Sequence, residues 1–209
     1  MQGTIGHILQ DPRLALASEL SSLVESRIQH YLDLLVKWNH KINLTAEKDP
    51  ESILKRHIFD SLQYCRALKP DFRTMDIGSG AGFPGIPLKI IFPEMPLVLV
   101  ESQRKRCSFL ETVIRELGLD RAEVINARAE DIPAQQEGQF DAVVFRAVSG
   151  VNPCLALGER FLVAGGRLVL KKPPDETLPE SELSLKDEIT ITSYQGLVSS
   201  LLIYEKCST

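Results

Sequence analysis

The stretch Thr74-Met75-Asp76-Ile77-Gly78-Ser79-Gly80-Ala81-Gly82-Phe83-Pro84-Gly85 constrains this chain more than any other. Four glycines fall within eight positions, directly after a short apolar run and directly before a helix-length apolar segment at 85–92. Glycine lets the backbone turn sharply and come close to a ligand, because no side chain stands in the way. Strand, glycine-rich turn and helix, in that order, form the loop that cradles a nucleotide-like ligand. A tight turn without a ligand is the bland alternative, and four glycines at this place in the chain speak against it.

The flanking pattern fits a sheet covered by helices on both faces. Short apolar runs at 74–77, 97–100, 123–126, 142–145 and 167–170 alternate with helical stretches at 85–92, 104–117 and 153–162. Such alternation implies parallel strands joined by helical crossovers. The end differs. An acidic, proline-bearing loop runs from Pro173 to about Ser184, and two further runs follow at 188–193 and 201–204. Their linker, containing Gly196, is too short for a crossover, so they should pair antiparallel. The expected fold is therefore α/β: a Rossmann-like parallel sheet ending in an antiparallel hairpin, the class I architecture of methyltransferases that use S-adenosylmethionine.

Residues 1–70 read as a helical extension ahead of a domain at 71–209. Leu20, Leu23, Val24, Ile28, Tyr31, Leu32, Leu35 and Trp38 recur at helical spacing and make one apolar face. Ser22 with Glu25 suits a capping box. After a loop through Asn43-Leu44-Thr45, Asp49-Pro50-Glu51 reads as a helix start, and that helix should run to about Leu68 before Pro70. Trp38 and Phe59 read as core residues.

Composition matters mainly for what it excludes. With 44% hydrophobic and 25% charged residues in 209, the chain is neither disordered nor a disulfide scaffold. No apolar run approaches the ~20 residues of a membrane span. The start, Met1-Gln2-Gly3-Thr4-Ile5-Gly6-His7, lacks a cationic region and a long apolar stretch, so no secretory signal is expected. Cys65, Cys107, Cys154 and Cys207 have neither metal-ligand nor redox-pair spacing, which suits reduced thiols in the cytoplasm. The net charge of −4 resides in the tail, where residues 173–209 carry 7 acidic and 2 basic residues; the first 172 balance at +1. A local basic face is compatible with that distribution.

The glycine loop admits two registers. From Gly80, Gly80-x-Gly82-x-x-Gly85 fits a nicotinamide or flavin fingerprint; from Asp76, the run Asp-x-Gly-x-Gly-x-Gly has the methyltransferase form. Asp76 at the strand end could face a cofactor ammonium, whereas a pyrophosphate would suffer from that negative charge. Pro84 also removes a backbone donor where a pyrophosphate would need one. Glu101 ends the second strand, where an acid accepts hydrogen bonds from ribose hydroxyls; it points to adenosine without separating the registers.

Further along, Arg128, Arg146 and Lys171 fall at or just past strand ends, the edge where such sheets bind ligands. Together they could draw in phosphates. Arg146 follows Val143-Val144-Phe145 and would sit half buried without a task. Arg104-Lys105-Arg106 opens a helix against its dipole, as either a phosphate contact or a charged surface face. His57 and Asp60 lie on an amphipathic helix, where a lone histidine is more often packed or capped than catalytic.

Several blocks together carry a resemblance. They are Trp38-Asn39-His40-Lys41-Ile42-Asn43-Leu44-Thr45, Arg56-His57-Ile58-Phe59-Asp60-Ser61-Leu62, residues 76–87, Arg104-Lys105-Arg106 with Phe109-Leu110, Arg128-Ala129-Glu130 and Phe145-Arg146-Ala147. The chain resembles the ribosomal RNA small subunit methyltransferase G family, also called glucose-inhibited division protein B, from about residue 38 to 171. The resemblance implies a cytoplasmic bacterial enzyme; a monomer without a metal is the separate expectation. The enzyme would transfer methyl from S-adenosyl-L-methionine to N7 of a guanine in 16S rRNA, in a loop near the decoding centre, alone or within the small subunit. Cofactor contacts carried over from the family fall on Gly78, Phe83, Ala129, Glu130 and Arg146, with Asp76 and Gly80 added from the loop itself and Glu101 from the end of the second strand. Lys171 matches a family lysine at the active-site mouth. Two departures stand on the presumed RNA side: Lys171-Lys172 where the family has lysine then glycine, and Val198-Ser199-Ser200 where it has an arginine.

Guanine N7 already presents a lone pair, so the chemistry asks for alignment and not for a general base. O6 and phosphates suit arginine and lysine, which makes Arg146, Lys171 and Arg128 the expected catalytic cations. Cytosine C5 methylation would need a cysteine nucleophile, and Pro153-Cys154 offers one; but Asn152-Pro153 reads as a helix cap and first turn, placing Cys154 in a helix. An exocyclic amine would call for Asn/Asp-Pro-Pro-aromatic where this chain has Arg146-Ala147-Val148. Two other classes stay open: a nicotinamide-dependent oxidoreductase, and a non-catalytic RNA-binding or small-subunit assembly protein.

Overall fold

The computed structural model describes residues 2–16, 20–146, 150–172 and 183–207, with the side chains of residues 2, 3 and 172 left aside. The acidic loop at 173–182, Ala147-Val148 and the Lys172 side chain therefore lie outside the described residues. Seven strands form one sheet: β1 (Thr74–Ile77), β2 (Leu97–Glu101), β3 (Ala122–Asn126), β4 (Phe140–Phe145), β5 (Leu162–Lys172), β6 (Ser184–Thr192) and β7 (Val198–Glu205). Their order is β3-β2-β1-β4-β5-β7-β6. The first five are parallel, and β7 runs antiparallel between β5 and β6. The expected closing hairpin is present, longer at both strands than the apolar runs alone indicated.

Alternation along the strands divides the core. Met75, Ile77, Val98, Val100, Val143, Phe145, Leu168 and Leu170 point to one face and pack with Val151, Cys154 and Leu155. Leu97, Leu99, Ala142, Val144 and Val169 point to the other, as the period-2 pleat requires. On that second face they share one core with the N-terminal helices α1 (Gln2–Leu9) and α2 (Ser22–Ile42) and with the helical stretch after residue 50. The first 70 residues thus cover the sheet as part of its own core.

Several local expectations need correction. The residue before α2 is Ser21, not Ser22, and no side chain caps that helix end. Leu23 is 55% exposed, and the apolar face instead continues from Leu35 to the buried Asn39. Asp49 does cap the next helix, accepting from the Ser52 N–H, with Pro50 in the first turn. That helix is not uniform to Leu68. It passes from α3 (Pro50–Ile53) through a π turn at Leu54–Ile58 to α4 (Phe59–Leu62) and a 3-10 turn at Gln63–Arg66. The further helices are α5 (Gly85–Ile91), α6 (Arg104–Leu117) and α7 (Val151–Glu159). Gly150, at φ +77°, is the residue that starts α7; Asn152-Pro153 lies inside its first turn, where a missing N–H costs nothing.

Candidate active site

Local geometry builds the glycine loop much as its composition implies. Gly78 and Gly80 hold φ of +77° and +57°. A β-carbon on Gly85 would stand 2.6 Å from Leu99 and 2.7 Å from the Asp76 carboxylate, so only glycine lets α5 begin this close to the strands. The buried Tyr31 hydroxyl donates to the Ala81 carbonyl at 2.6 Å and ties the loop to α2. Asp76 is fully buried under the loop. One oxygen accepts from the Gly85 N–H at 2.9 Å; the other, Oδ1, has no hydrogen-bond partner. Burial pushes this carboxyl up to about 7, with the Gly85 hydrogen bond and the positive charge of Arg146 pulling the other way.

Two cavities lie at the carboxyl ends of the parallel strands and share Phe145 and Cys154 as a common wall. The smaller, about 390 Å³, is lined by Gly78, Glu101, Arg106, Arg128, Ala129 and Glu130 among others. Glu101 is buried, and its two oxygens accept from the Gly80 N–H at 3.0 Å and the Gln103 N–H at 2.8 Å. Arg106 stands 3.9 Å from the same carboxylate, while Arg104 and Lys105 are exposed. The basic start of α6 is thus divided: one cation balances Glu101 and two face solvent.

The larger cavity, about 500 Å³, is lined by Glu47, His57, Asp60, Arg146, Lys171 and Tyr194 among others. A π turn holds one more residue than an α turn and often marks a functional site. Here it carries Lys55, Arg56 and His57 to the cavity while Leu54 and Ile58 stay in the core. Lys171 donates to Asp60 Oδ2 at 2.7 Å; Asp60 Oδ1 is buried without a partner. Arg146 lies over the Phe83 ring at 5.1 Å and donates to His57 Nδ1 at 2.6 Å. His57 stacks on Phe83 with centroids 5.0 Å apart. Burial first and Arg146 second lower the His57 pKa against opposing contributions from Glu47 and Asp60. Glu47 is held at about 2, chiefly by its hydrogen bond with His57.

Gly78, Glu101, Ala129 and Glu130, anticipated around a cofactor, do line one cavity. Gly80 braces Glu101, Asp76 sits beneath, Arg146 lines the neighbouring cavity, and Phe83 lines neither, buried against His57 and Arg146. The three expected catalytic cations are not brought together. Arg146 and Lys171 line the larger cavity, whereas Arg128 is exposed beside the smaller one. Strand order is the reason: β3, which precedes Arg128, is separated from β4 by β2 and β1. Val198 and Ser199, where the chain departs from the family pattern, line the larger cavity at the start of β7.

The sequence reading placed Asn39 and Thr45 in a family-like block without giving either a role, and it passed over Glu47. Asn39 Oδ1 accepts from the Thr45 N–H at 2.9 Å, and its amide donates to the Glu47 carbonyl at 2.7 Å, which folds the loop toward His57. The available signal was a polar residue four positions after Leu35 on an otherwise apolar face. Cys154 sits in α7, as expected, but as part of the wall common to both cavities.

Comparison with known proteins came out consistently. The family model for rRNA small subunit methyltransferase G matches residues 24–200. Ribosomal RNA small subunit methyltransferase G of Desulfitobacterium hafniense is 43% identical over 178 residues, covering 83% of this chain and 74% of the relative. The Alkaliphilus oremlandii protein of the same name is 36% identical over 185 residues, covering 86% and 77%. Among solved structures, a SAM-dependent methyltransferase from Aquifex aeolicus superposes with a TM-score of 0.55 at 16% identity, covering 74% of this chain and 93% of that one. This last likeness speaks to the fold. No helix among the described residues is long and apolar enough to cross a membrane.

Proposed function

The chain belongs to the rRNA small subunit methyltransferase G family, and on that premise we propose that it methylates N7 of a guanine in 16S rRNA, in a loop near the decoding centre. The methyl donor is S-adenosyl-L-methionine, which supplies a methyl group activated on a sulfonium. The smaller cavity suits that donor: Gly78, Glu101, Ala129 and Glu130 would surround its adenosine. The orphaned Asp76 Oδ1 suits its ammonium, since a cation offsets the cost of ionising a buried carboxylate. The oxidoreductase alternative falls with this membership.

What carries the N7 reading is the state of His57. Both its ring nitrogens are engaged, Nε2 with Glu47 at 2.6 Å and Nδ1 with Arg146 at 2.6 Å, so it is not available as a base. Asp60 is paired with Lys171. A nucleophile that already holds a lone pair needs no base, and guanine N7 is such a nucleophile. In this reading Arg146 and Lys171 hold O6 and the adjoining phosphates, and Arg128 meets phosphate at the rim. Phe145 and Cys154, common to both cavities, would then separate the base from the donor, and catalysis would be alignment for in-line displacement.

The test is transfer of labelled methyl from S-adenosyl-L-methionine to unmodified 16S rRNA and to small subunits, followed by nucleoside digestion. Label in 7-methylguanosine is expected. Label in 5-methylcytidine would move the reading to a Cys154 nucleophile. Salt-sensitive RNA binding without label in any nucleoside would point to a non-catalytic assembly protein.

A further inference from the structure

The hydrogen bonds of His57 belong to a longer chain in the wall of the larger cavity, whose outer members Thr45 and Arg56 have no part in the transfer chemistry described so far. Arginine is a donor only and keeps its charge at neutral pH. Arg146 Nη2, 2.6 Å from His57 Nδ1, therefore requires that nitrogen to be the lone-pair one. The His57 proton then lies on Nε2, donating to Glu47 Oε2 at 2.6 Å. Thr45 donates to the same carboxylate at 2.8 Å, and Arg56 donates to its other oxygen at 2.7 Å. One protonation pattern satisfies the whole chain: a carboxylate at Glu47, a neutral imidazole at His57 and a guanidinium at Arg146. Asn39 holds the Glu47 loop in place through both ends of its amide.

We infer that Glu47 and His57 are positioning residues for methyl transfer: ionised Glu47 holds His57 in the Nε2–H tautomer, and the Nδ1 lone pair so presented anchors the Arg146 guanidinium in the wall of the substrate cavity. The inference rests on the proposed contact of Arg146 with substrate. Glu47 and His57 act through Arg146 and do not touch the reacting atoms. With one Nη tied to His57, the remaining guanidinium donors have a fixed direction, and less freedom is lost when guanine or phosphate arrives.

This arrangement titrates. A protonated His57 would present an N–H to a guanidinium and release it. The groups facing His57 are Glu47 and Thr45 from the loop before α3, Arg146 from the end of β4, Phe83 from the glycine loop, and Asp60 and Arg56 on its own helical stretch. Acid should therefore reduce transfer by freeing Arg146. Asp76 titrates in a neighbouring range, so the variants, and not the wild-type profile alone, assign the acid limb.

The experiment measures methyl transfer to unmodified small subunits against pH, at saturating S-adenosyl-L-methionine. Wild type is compared with His57→Phe, His57→Asn, Glu47→Gln and Arg146→Ala, with melting temperature and S-adenosylhomocysteine affinity recorded for each. His57→Phe should lower kcat by about 30-fold or more with cofactor affinity little changed. His57→Asn places an amide oxygen near the position of Nδ1; it should recover about tenfold over His57→Phe and lose the histidine part of the acid limb. Glu47→Gln keeps a hydrogen-bond acceptor but removes the charge that favours imidazolium, so its acid limb should move to lower pH. Its isosteric change in a loop keeps the test open if His57→Phe does not fold. Acid limbs of His57→Asn and Glu47→Gln that coincide with wild type would overturn the inference. So would a wild-type rate in His57→Phe while Arg146→Ala is inactive. A wild-type rate in Arg146→Ala would instead remove the premise about Arg146 and the inference with it.

Discussion

The smaller cavity takes its loop from residues 76–85 and its acid from Glu101, all within one strand–helix–strand unit, whereas the larger cavity draws Glu47, His57, Arg146, Lys171 and Tyr194 from segments far apart in the chain. Their interactions differ accordingly. In the first, backbone N–H groups of Gly80, Gly85 and Gln103 meet carboxylates nearby in sequence or on the adjoining strand. In the second, side chains meet side chains, with sequence separations of 89 for His57 and Arg146 and 111 for Asp60 and Lys171. A donor site of fixed chemistry can be built on a short, backbone-defined motif. On the proposed reading the second must take one base of a large RNA, which calls for charges collected from several elements and braced by their neighbours.

This contrast can be broken most directly at Arg146. Arg146→Ala should reduce methyl transfer by about 10³-fold while S-adenosylhomocysteine still raises the melting temperature. Equal losses of binding and transfer would make Arg146 part of the donor site. On the other side, Gly78→Val should weaken S-adenosylhomocysteine binding by about 100-fold or more in calorimetry, because a β-branched residue is a poor occupant of φ +77° beside the ligand. An unchanged affinity would remove the glycine loop from the donor site.

A smaller effect separates the two cavities by pH. The Asp76 carboxyl, raised by burial to about 7, must be ionised to pair with an ammonium. Below that pH the proton must first be removed, so S-adenosylhomocysteine affinity should fall by about tenfold per pH unit and level off above it. Asp76→Asn should flatten that dependence. A wild-type affinity constant from pH 5 to pH 8, on the order of three units, would exclude the ammonium role. The smallest change is expected at the shared wall: Cys154→Ala should keep transfer within about threefold, because N7 needs no covalent nucleophile. A loss beyond ~10³-fold with the fold intact would favour cytosine chemistry.

The parts that could be read from the residues are those with local causes. Asp49-Pro50 begins a helix because a short acceptor and a fixed φ suit its first turn, and it does so here. The same logic failed at Ser22, since Ser21 and Ser22 offer the same cap chemistry one residue apart; Ser21 precedes the helix, and its side chain makes no cap hydrogen bond. It failed again within 50–68, where the apolar spacing is compatible with a plain helix and gives no sign of the π turn that turns His57 toward Arg146. Asn39 shows a signal that was present but reads as a flaw in an apolar face until its two loop partners are known.

By itself, the order of residues determined the strand–loop–helix that presents Gly78, the carboxylates at Asp76 and Glu101, and the alternation that buries both faces of the sheet. Each follows from backbone sterics or from a period of two or 3.6 residues, which act over a few neighbours. Only the tertiary structure decided that Arg146 and Lys171 share a cavity while Arg128 does not, and that Glu47 reaches Arg146 through His57. Those outcomes depend on strand order and on loops closed over long stretches of chain. No local pattern records which remote donor will meet which acceptor once the core has been buried.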